Sequence, residues 1–274
     1  MTDDGRCGPT IRLDVALAAR GLAVSRTRAR RLIEEGRVLV DGHVERRPST
    51  SVWSGRSLEL RNGDDYVSRG ALKLVGAFEA FASHGLRDPR GLDCLDIGAS
   101  TGGFTQVLLR RGARRVVALD VGHGQLDARL AGDPRVVEMS GVNVRDLEAG
   151  DLPFRPAMVV GDVSFISLRY VLPVARRVIA EVGDAVLLVK PQFEVGRGRL
   201  GRHGVVRDPQ ERLRAVDGVV DAAEREGFTV VGVAPSPIEG MHGNVEYLLC
   251  LSVGRAAPGV GASTCGQGGV GTVS

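Results

Sequence analysis

Residues 92–104 read LDCLDIGASTGGF, an apolar run that ends in a glycine-rich loop. The run has the composition of a buried strand, and Gly98, Gly102 and Gly103 follow it at once. Because glycine tolerates positive φ and carries no side chain, backbone amides in such a loop can approach a ligand closely. Apolar residues after Phe104 indicate a helix. This order of strand, loop and helix predicts a ligand site at the edge of a sheet.

The order of the glycines separates two classes of cofactor. A dinucleotide-binding loop needs G-x-G-x-x-G, whereas this loop reads G-x-x-x-G-G. That spacing resembles the S-adenosylmethionine loop of class I methyltransferases. A second apolar run, residues 115–120, ends at Asp120, where a carboxylate of such sheets binds a ribose hydroxyl pair. An NAD-dependent enzyme would also use Asp120, so the loop spacing is what disfavours that alternative.

Charge divides the chain into two parts. The 274 residues are 43% hydrophobic and can bury a sizeable core. Residues 10–61 contain eleven arginines against six acidic residues, a net charge of +5, whereas the whole chain carries only +3. This asymmetry predicts a polyanion-binding module ahead of a larger domain. We place the basic domain at residues 10–60, a linker at 61–66, the second domain at 67–253 and a glycine-rich, disordered tail at 254–274.

The basic domain resembles a known RNA-binding fold. We predict helices at residues 11–17 and 26–35, the second capped by Ser25, followed by a strand that turns at Asp41 and Gly42. With a later strand near Leu58, RLDVAL and SRTRARRLIEEGRVLVDG are similar to the small α+β fold named after a small-subunit ribosomal protein, the S-four-like domain. We expect five arginines to contact RNA phosphates: Arg12, Arg26, Arg28, Arg30 and Arg31.

The scarcity of aromatic residues near these arginines predicts the type of RNA that they contact. Trp53 is the only aromatic residue of the basic segment, so stacking on unpaired bases is disfavoured and contact with folded, shaped RNA is favoured. The alternative for any one arginine is a solvated position on a helix face.

The rest of the chain alternates strands with helices. Two apolar runs, near Val230 and at residues 245–253, close a series of earlier runs that end at Asp96, Asp120, Glu138, Asp162 and Lys190. This pattern predicts an α/β domain with a mostly parallel, seven-stranded sheet covered by helices on both faces. Ligands of such sheets bind beyond the carboxyl ends of the strands, so the polar residues at the strand ends are expected to face one crevice.

Lysine is almost absent from the chain. Of 36 basic residues, 34 are arginine, and the two lysines are Lys73 and Lys190. An ammonium can lose its proton in a protein, whereas a guanidinium effectively cannot. Lys190 ends an apolar run and precedes Pro191, which is a poor place for an idle surface charge. Both lysines are therefore candidates for chemistry, against the alternative that they are leftover surface residues.

Membrane and metal functions find little support in the sequence. No apolar run approaches the ~18 residues that cross a bilayer, and the polar start has no signal-peptide core, so we expect a soluble, cytoplasmic protein. Cys7 and Cys265 fall in the predicted tails, while Cys94 and Cys250 fall in strands. With no C-x-x-C pair and no metal-ligand spacing among the histidines, we expect free thiols and no metal site.

Five motifs carry a family resemblance: SRGALKL at 68–74, LDIGASTGGF at 95–104, GDVSFISL at 161–168, VKPQFEVG at 189–196 and GNVEYLL at 243–249. In this order they resemble the TlyA branch of the FtsJ-like ribose 2′-O-methyltransferases, sometimes named hemolysin A, over residues 12–253. The resemblance implies a class I (Rossmann-like) fold, the cofactor S-adenosylmethionine, and cytidine of small- or large-subunit ribosomal RNA as the substrate. It implies a catalytic tetrad of Lys73, Asp162, Lys190 and Glu246.

The resemblance also implies a cofactor site. Its residues would be Asp96, Gly98, Ala99, Ser100, Gly102, Gly103, Phe104, Asp120, Val121, Asn143 and Asp162. A ribose 2′-hydroxyl is a poor nucleophile, so its attack on a sulfonium methyl benefits from a nearby base and a fixed orientation. We expect Lys190 to be the base and Lys73 to hold the hydroxyl, with the two acids orienting the ammoniums. Two alternatives remain: a non-catalytic ribosome-binding factor, which would need neither lysine, and a haemolysin, which would need membrane-active segments.

Overall fold

The computed structural model describes residues 10–23, 25–34, 36–60, 66–196, 198, 200–201, 204–240 and 243–255. Residues 61–65, which make up most of the predicted linker, and residues 256–274, which make up most of the predicted tail, lie outside the described residues, as do Cys7 and Cys265. The chain divides into two compact units, residues 1–65 and residues 66–274.

In its described residues, the first unit contains two helices and five short strands. These are β1 (Thr10–Arg12), α1 (Leu13–Ala19), α2 (Arg26–Glu34), β2 (Val38–Val40), β3 (His43–Glu45), β4 (Ser51–Trp53) and β5 (Leu58–Leu60). β2 lies between β3 and β5 in an antiparallel sheet, and β1 pairs with β4. The core of this unit includes Leu13, Leu17 and Ile33, which are fully buried.

Local sequence signals place most of these elements, with one correction. Ser25 Oγ accepts a hydrogen bond from the Arg28 amide at 3.2 Å, which confirms the predicted cap of α2. Asp41 and Gly42 both have positive φ and form the two-residue turn between β2 and β3. The predicted helix at residues 11–17 was wrong at its start, because residues 11 and 12 pair with β4 and the helix begins at Leu13.

The second unit is a seven-stranded sheet with helices on both faces, which confirms the predicted fold class. Its helices are α3 (Ala71–Phe81), α4 (Gly103–Arg110), α5 (Ala128–Ala131), α6 (Leu168–Val178), α7 (Pro191–Glu194) and α8 (Pro209–Arg225). Its strands are β6 (Asp93–Ile97), β7 (Arg115–Asp120), β8 (Val136–Ser140), β9 (Met158–Gly161), β10 (Gly183–Val189), β11 (Thr229–Pro235) and β12 (Tyr247–Val253).

The order of the strands decides where a ligand can bind. The order is β11-β12-β10-β9-β6-β7-β8, with β6 to β10 parallel and both β12 pairings antiparallel. The chain runs from β6 outward to β8 and then returns to β9 on the other side of β6. Strand order therefore reverses between β6 and β9, and such a switch point opens a crevice beyond the carboxyl ends of the strands.

Side chains of β6 alternate between two cores. Leu95 and Ile97 pack in the cluster that includes α6 and α8, whereas Cys94 packs in the cluster that includes α3 and α4. This alternation is the period of two expected of a strand buried on both faces. Asp96 shares the face of Cys94, which directs its carboxylate towards the start of α4.

Candidate active site

Four charged side chains from four separate elements meet at the carboxyl edge of the sheet. Lys73 lies in α3, Asp162 follows β9, Lys190 follows β10 and Glu246 precedes β12. Lys73 Nζ donates to Asp162 Oδ2 at 3.1 Å and to Glu246 Oε2 at 2.7 Å. Lys190 Nζ lies 2.6 Å from Asp162 Oδ1. Asp162 therefore stands between the two ammoniums, and the structure brings together all four residues of the predicted tetrad.

The cluster is nearly closed to solvent and has no net formal charge. Lys73 and Lys190 are each 7% exposed and Glu246 is 3% exposed. Burial acts to raise the pKa of Asp162, but the charges of Lys190 and Lys73 outweigh it and the pKa lies below its usual range. Asp162 is therefore a carboxylate at neutral pH, and it compensates both lysines.

Lys73 reaches the cluster because α4 holds the chain just before α3. Gln106 Oε1 accepts a hydrogen bond from the Val67 amide at 2.7 Å. A Cβ atom on Gly103 would lie only 2.3 Å from Ser68 Oγ, so glycine is needed there for the two segments to approach. The glycine-rich motif and the SRGALKL motif thus pack against each other, and their contact fixes the start of the lysine-bearing helix.

A cavity of about 540 Å³ opens beside the tetrad, within the usual size range of small-molecule sites. Six of the residues implied by the resemblance line it: Gly98, Ser100, Asp120, Val121, Asn143 and Asp162. Asp162 belongs to both the cavity wall and the tetrad. A ligand in this cavity would therefore lie next to the two lysines.

Asp120 organises the loop that forms one wall of the cavity. Its carboxylate accepts hydrogen bonds from the Ser100 amide at 2.7 Å and from the Gly122 amide at 2.8 Å. Ser100 has a φ of 48° and Gly98 a φ of 80°, so the loop backbone turns through left-handed conformations at both. Each carboxylate oxygen can accept a second hydrogen bond, which leaves Asp120 able to bind a ligand hydroxyl as well.

Five residues of the implied cofactor set do not line this cavity: Asp96, Ala99, Gly102, Gly103 and Phe104. Asp96 is fully buried and accepts hydrogen bonds from the Thr105 amide and hydroxyl at 2.8 and 2.7 Å. Burial raises the pKa of Asp96 to about 7. Phe104 packs in the core, and a Cβ atom on Gly102 would meet Leu130 at 2.3 Å. The buried residues of this set support the shape of the loop without lining the cavity.

A family model agrees with this architecture. The FtsJ-like methyltransferase family matches residues 66–253, and the S4 domain, an RNA-binding fold, matches residues 11–55. The chain belongs to the FtsJ-like methyltransferase family. The predicted S-four-like and FtsJ-like resemblances are both confirmed.

Relatives of this FtsJ-like methyltransferase share both parts of the chain. It is 50% identical over 242 residues to the 16S/23S rRNA (cytidine-2′-O)-methyltransferase TlyA of Mycobacterium tuberculosis, covering 88% of this chain and 89% of the relative. It is 37% identical over 239 residues to Hemolysin A of Brachyspira hyodysenteriae, covering 87% and 98%. A solved structure of a Streptococcus thermophilus protein described as a hemolysin is 39% identical, with a TM-score of 0.70 and 90% of each chain covered.

The S4 domain of this FtsJ-like methyltransferase uses some of its arginines internally. Asp14 is fully buried, and its carboxylate binds Arg12 Nε and Arg26 Nε, each at 3.0 Å. The hydrogen bond from Arg12 is the main reason that the pKa of Asp14 falls to about 2. Arg30 lies 4.0 Å from Glu34 on the exposed face of α2. Both arginines on Asp14 remain about half exposed, so their outer donors still face solvent.

Sequence reasoning overlooked two polar residues of the tetrad's surroundings. Ser164 Oγ accepts a hydrogen bond from Lys190 Nζ at 2.8 Å, and Gln192 Nε2 lies 3.5 Å from Glu246 Oε1. Both residues stand inside motifs that carried the resemblance, two positions after a tetrad member. That spacing was the available signal, since both segments leave the ends of adjacent strands.

The described part of the chain contains two cysteines and no clustered metal ligands. There, no three His, Cys, Asp or Glu side chains are grouped to hold a metal ion. Cys94 and Cys250 are buried, free thiols, and burial raises the pKa of each to about 12. Among the described residues no helix combines the length and apolarity needed to span a bilayer.

Proposed function

We propose that this enzyme transfers the methyl group of S-adenosylmethionine to the ribose 2′-hydroxyl of cytidine in ribosomal RNA. One observation carries the proposal: two buried lysines share the carboxylate of Asp162, which also lines a cavity of ligand size. The relative with 50% identity carries that activity in its name. An enzyme of this kind would act where ribosomes are made, in the cytoplasm.

The cavity fits S-adenosylmethionine by the chemistry of its wall. Asp120 offers carboxylate oxygens for the two ribose hydroxyls, and the glycine at 98 leaves room at the loop. Asn143 also lines the cavity and offers its side-chain amide. When bound, the cofactor supplies an electrophilic methyl group on a positively charged sulfur. Asp162, the acid that contacts both lysines and also lines the cavity, would stabilise positive charge at that end of the cavity.

The surroundings of the two lysines favour Lys190 as the base. Lys73 Nζ faces two carboxylates, those of Asp162 and Glu246. Lys190 Nζ faces one carboxylate, which it shares, and the neutral hydroxyl of Ser164. The ammonium of Lys190 is the less compensated of the two, so it is the one that gives up its proton at lower cost. Lys73 would hold the 2′-hydroxyl oxygen by charge and hydrogen bonding.

Binding of the RNA belongs to the basic unit in this proposal. The S4 match and the +5 charge of residues 10–61 support phosphate contact. Arg28, Arg30 and Arg31 follow one another along α2, and the outer donors of Arg12 and Arg26 lie nearby in the same unit. Asp14 holds the side chains of Arg12 and Arg26, so their remaining donors would point in fixed directions, which favours shaped RNA.

The test is direct mapping of methylated ribose. Purified small and large ribosomal subunits from cells without the gene are incubated with the enzyme and cofactor, and the ribosomal RNA is digested and analysed by mass spectrometry. We expect one or more cytidines to gain about 14 Da on the ribose, because a methyl group replaces one hydrogen. Protein that binds subunits tightly but adds no methyl group would show a non-catalytic ribosome-binding factor instead.

The cofactor site has its own prediction. Asp120→Ala should weaken binding of S-adenosylhomocysteine by about tenfold or more, because a carboxylate that receives ribose hydroxyls is worth one or two charged hydrogen bonds. Isothermal calorimetry checks the affinity, and Glu224→Ala, which removes an exposed acid on α8 that does not line the cavity, is the control. Unchanged affinity in Asp120→Ala, in a variant that melts like the wild type, would place the ribose elsewhere.

A further inference from the structure

Ser164 lies at the point where the tetrad meets the cavity. It follows Asp162 by two residues, its side chain is exposed, and it lines the cavity wall. Its hydroxyl oxygen accepts a hydrogen bond from Lys190 Nζ at 2.8 Å, while Asp162 Oδ1 lies 2.6 Å from the same nitrogen. Two oxygens from one short loop thus face Lys190 in fixed positions.

These two contacts bear on how a lysine can act as a base. A neutral amine has two N–H bonds and one lone pair, arranged roughly as three corners of a tetrahedron around the Cε bond. The hydrogen bond to Ser164 takes one N–H of this amine, and the Asp162 carboxylate beside the nitrogen attracts the other, which leaves the remaining corner for the lone pair. Without Ser164 the amine would rotate about its Cε–Nζ bond, and the lone pair would point towards the substrate for only part of the time.

We propose that Ser164 is a positioning residue that fixes the rotation of the Lys190 amine and aims its lone pair at the ribose hydroxyl. This inference rests on the proposed function. In the step, the 2′-hydroxyl proton passes to Lys190 Nζ while the hydroxyl oxygen bonds to the methyl carbon, and the sulfur–methyl bond breaks with its electrons left on sulfur. Lys190 then returns the proton to solvent.

Three other charged side chains of the described residues belong to the same cluster as Lys190. Asp162 faces Lys190 directly from the loop after β9, and Lys73 of α3 and Glu246 before β12 lie beyond it. None of these changes when Ser164 is replaced. A hydroxyl that accepts from an ammonium stabilises its charged form, so Ser164→Ala should make the Lys190 ammonium lose its proton at lower pH.

Because the chain has only two lysines, each can be followed separately by NMR. Selective labelling with lysine carrying carbon-13 at Cε gives two side-chain signals, which Lys73→Arg and Lys190→Arg assign. We expect Ser164→Ala to lower the titration midpoint of the Lys190 signal, because the charged amine loses a hydrogen-bond acceptor. Ser164→Thr, which keeps the hydroxyl at an exposed position, should restore the midpoint.

Ser167→Ala is the matched control for this titration. Ser167 lies in the same loop, but its hydroxyl binds Glu194 at 2.6 Å rather than a lysine. The control should leave the Lys190 midpoint in place. If Ser164→Ala moves that midpoint no further than Ser167→Ala does, the proposed role of Ser164 is wrong, whatever the activity of the enzyme.

Single-turnover methylation of ribosomal subunits supplies the second readout. At saturating cofactor and at a pH above the midpoint, Ser164→Ala should be about ten- to a hundredfold slower, and Ser164→Thr should recover most of the rate. A normal rate in Ser164→Ala would overturn the inference even if the midpoint moved. A wild-type protein that methylates no ribosomal RNA would instead overturn the proposed function, and the titration would still decide whether Ser164 acts on Lys190.

Discussion

The two ends of the parallel sheet both bury carboxylates against cations, but they use different cations. At the amino end, Asp93 binds Arg114 and Arg115, and Asp184 binds Arg87 and Arg255. At the carboxyl end, Asp162 and Glu246 bind Lys73 and Lys190. In a chain with 34 arginines, both lysines occur at the carboxyl end.

Under the proposed function, this difference separates structural ion pairs from reactive ones. A guanidinium grips a carboxylate with two parallel hydrogen bonds, as Arg115 does on Asp93 with Nε and one terminal nitrogen at 3.1 and 2.7 Å. It keeps its charge at any physiological pH, so such a pair only fixes structure. An ammonium can hold the same carboxylate and also release a proton. Arginine therefore suffices where charge must be constant, and lysine is needed where it must change.

We expect the greatest difference in methylation rate when one carboxylate is removed from each end of the sheet. Asp162→Asn takes the shared anion from between two ammoniums and unfixes both lysines, so single-turnover methylation should fall about a thousandfold at saturating cofactor. Asp93→Asn removes a buried acid at the far end. Its rate per folded molecule should stay near the wild-type value. Equal losses in the two variants, measured alongside thermal melting, would mean that the tetrad acts only through stability.

Replacing lysine by arginine, or arginine by lysine, should change the methylation rate less. Lys73→Arg keeps the charge beside Asp162 and Glu246, and because the proposed task of Lys73 is to hold the hydroxyl, we expect about a tenfold loss of rate. The reciprocal change, Arg115→Lys, should leave the rate unaltered and lower stability slightly. A complete loss of methylation in Lys73→Arg, with cofactor affinity intact, would show that Lys73 also moves a proton.

The smallest expected effect is on acid stability. Burial acts to raise the pKa of Asp93, but hydrogen bonds and charge from Arg114 and Arg115 lower it to about 2. The unfolded chain has a higher pKa, so this pair stabilises the fold above about pH 4, and its contribution disappears as pH falls towards 2. Urea unfolding of the wild type should therefore lose on the order of 1–2 kcal/mol between pH 4 and 2 that Asp93→Asn does not lose, since both arginines are partly exposed. Parallel curves for the two proteins would show that the pair contributes nothing.

The fold of the second unit was largely predictable because its signals are local. Each apolar run before a polar residue became a strand, and the alternation with helices required parallel order. The start of the first unit was mispredicted because β1 depends on pairing with β4, about forty residues later, which no local pattern reveals. The hairpin at Asp41 and Gly42 had a local signal and was predicted.

The candidate site likewise has parts that the sequence predicted and parts that it did not. Lys73 and Lys190 stood out by composition alone, since lysine is rare here. The motif positions did not distinguish residues that line the cavity, such as Gly98, from residues that support it from behind, such as Asp96, because that distinction depends on tertiary packing. Nor could the sequence show that Arg12 forms an ion pair with Asp14, since both residues lie in an arginine-rich segment where many other pairs are possible.

As the proposed base, Lys190 must become neutral to act. The most direct test is single-turnover methylation of ribosomal subunits from pH 6 to 10, at saturating cofactor, by wild type and Lys190→Arg. The wild-type rate should rise with pH and then level off as the ammonium loses its proton. Lys190→Arg keeps the charge beside Asp162, so it should fold and bind cofactor but be at least about a hundredfold slower, without the rising limb. A near wild-type rate in Lys190→Arg, with the same pH profile, would contradict the claim and reduce Lys190 to an electrostatic role.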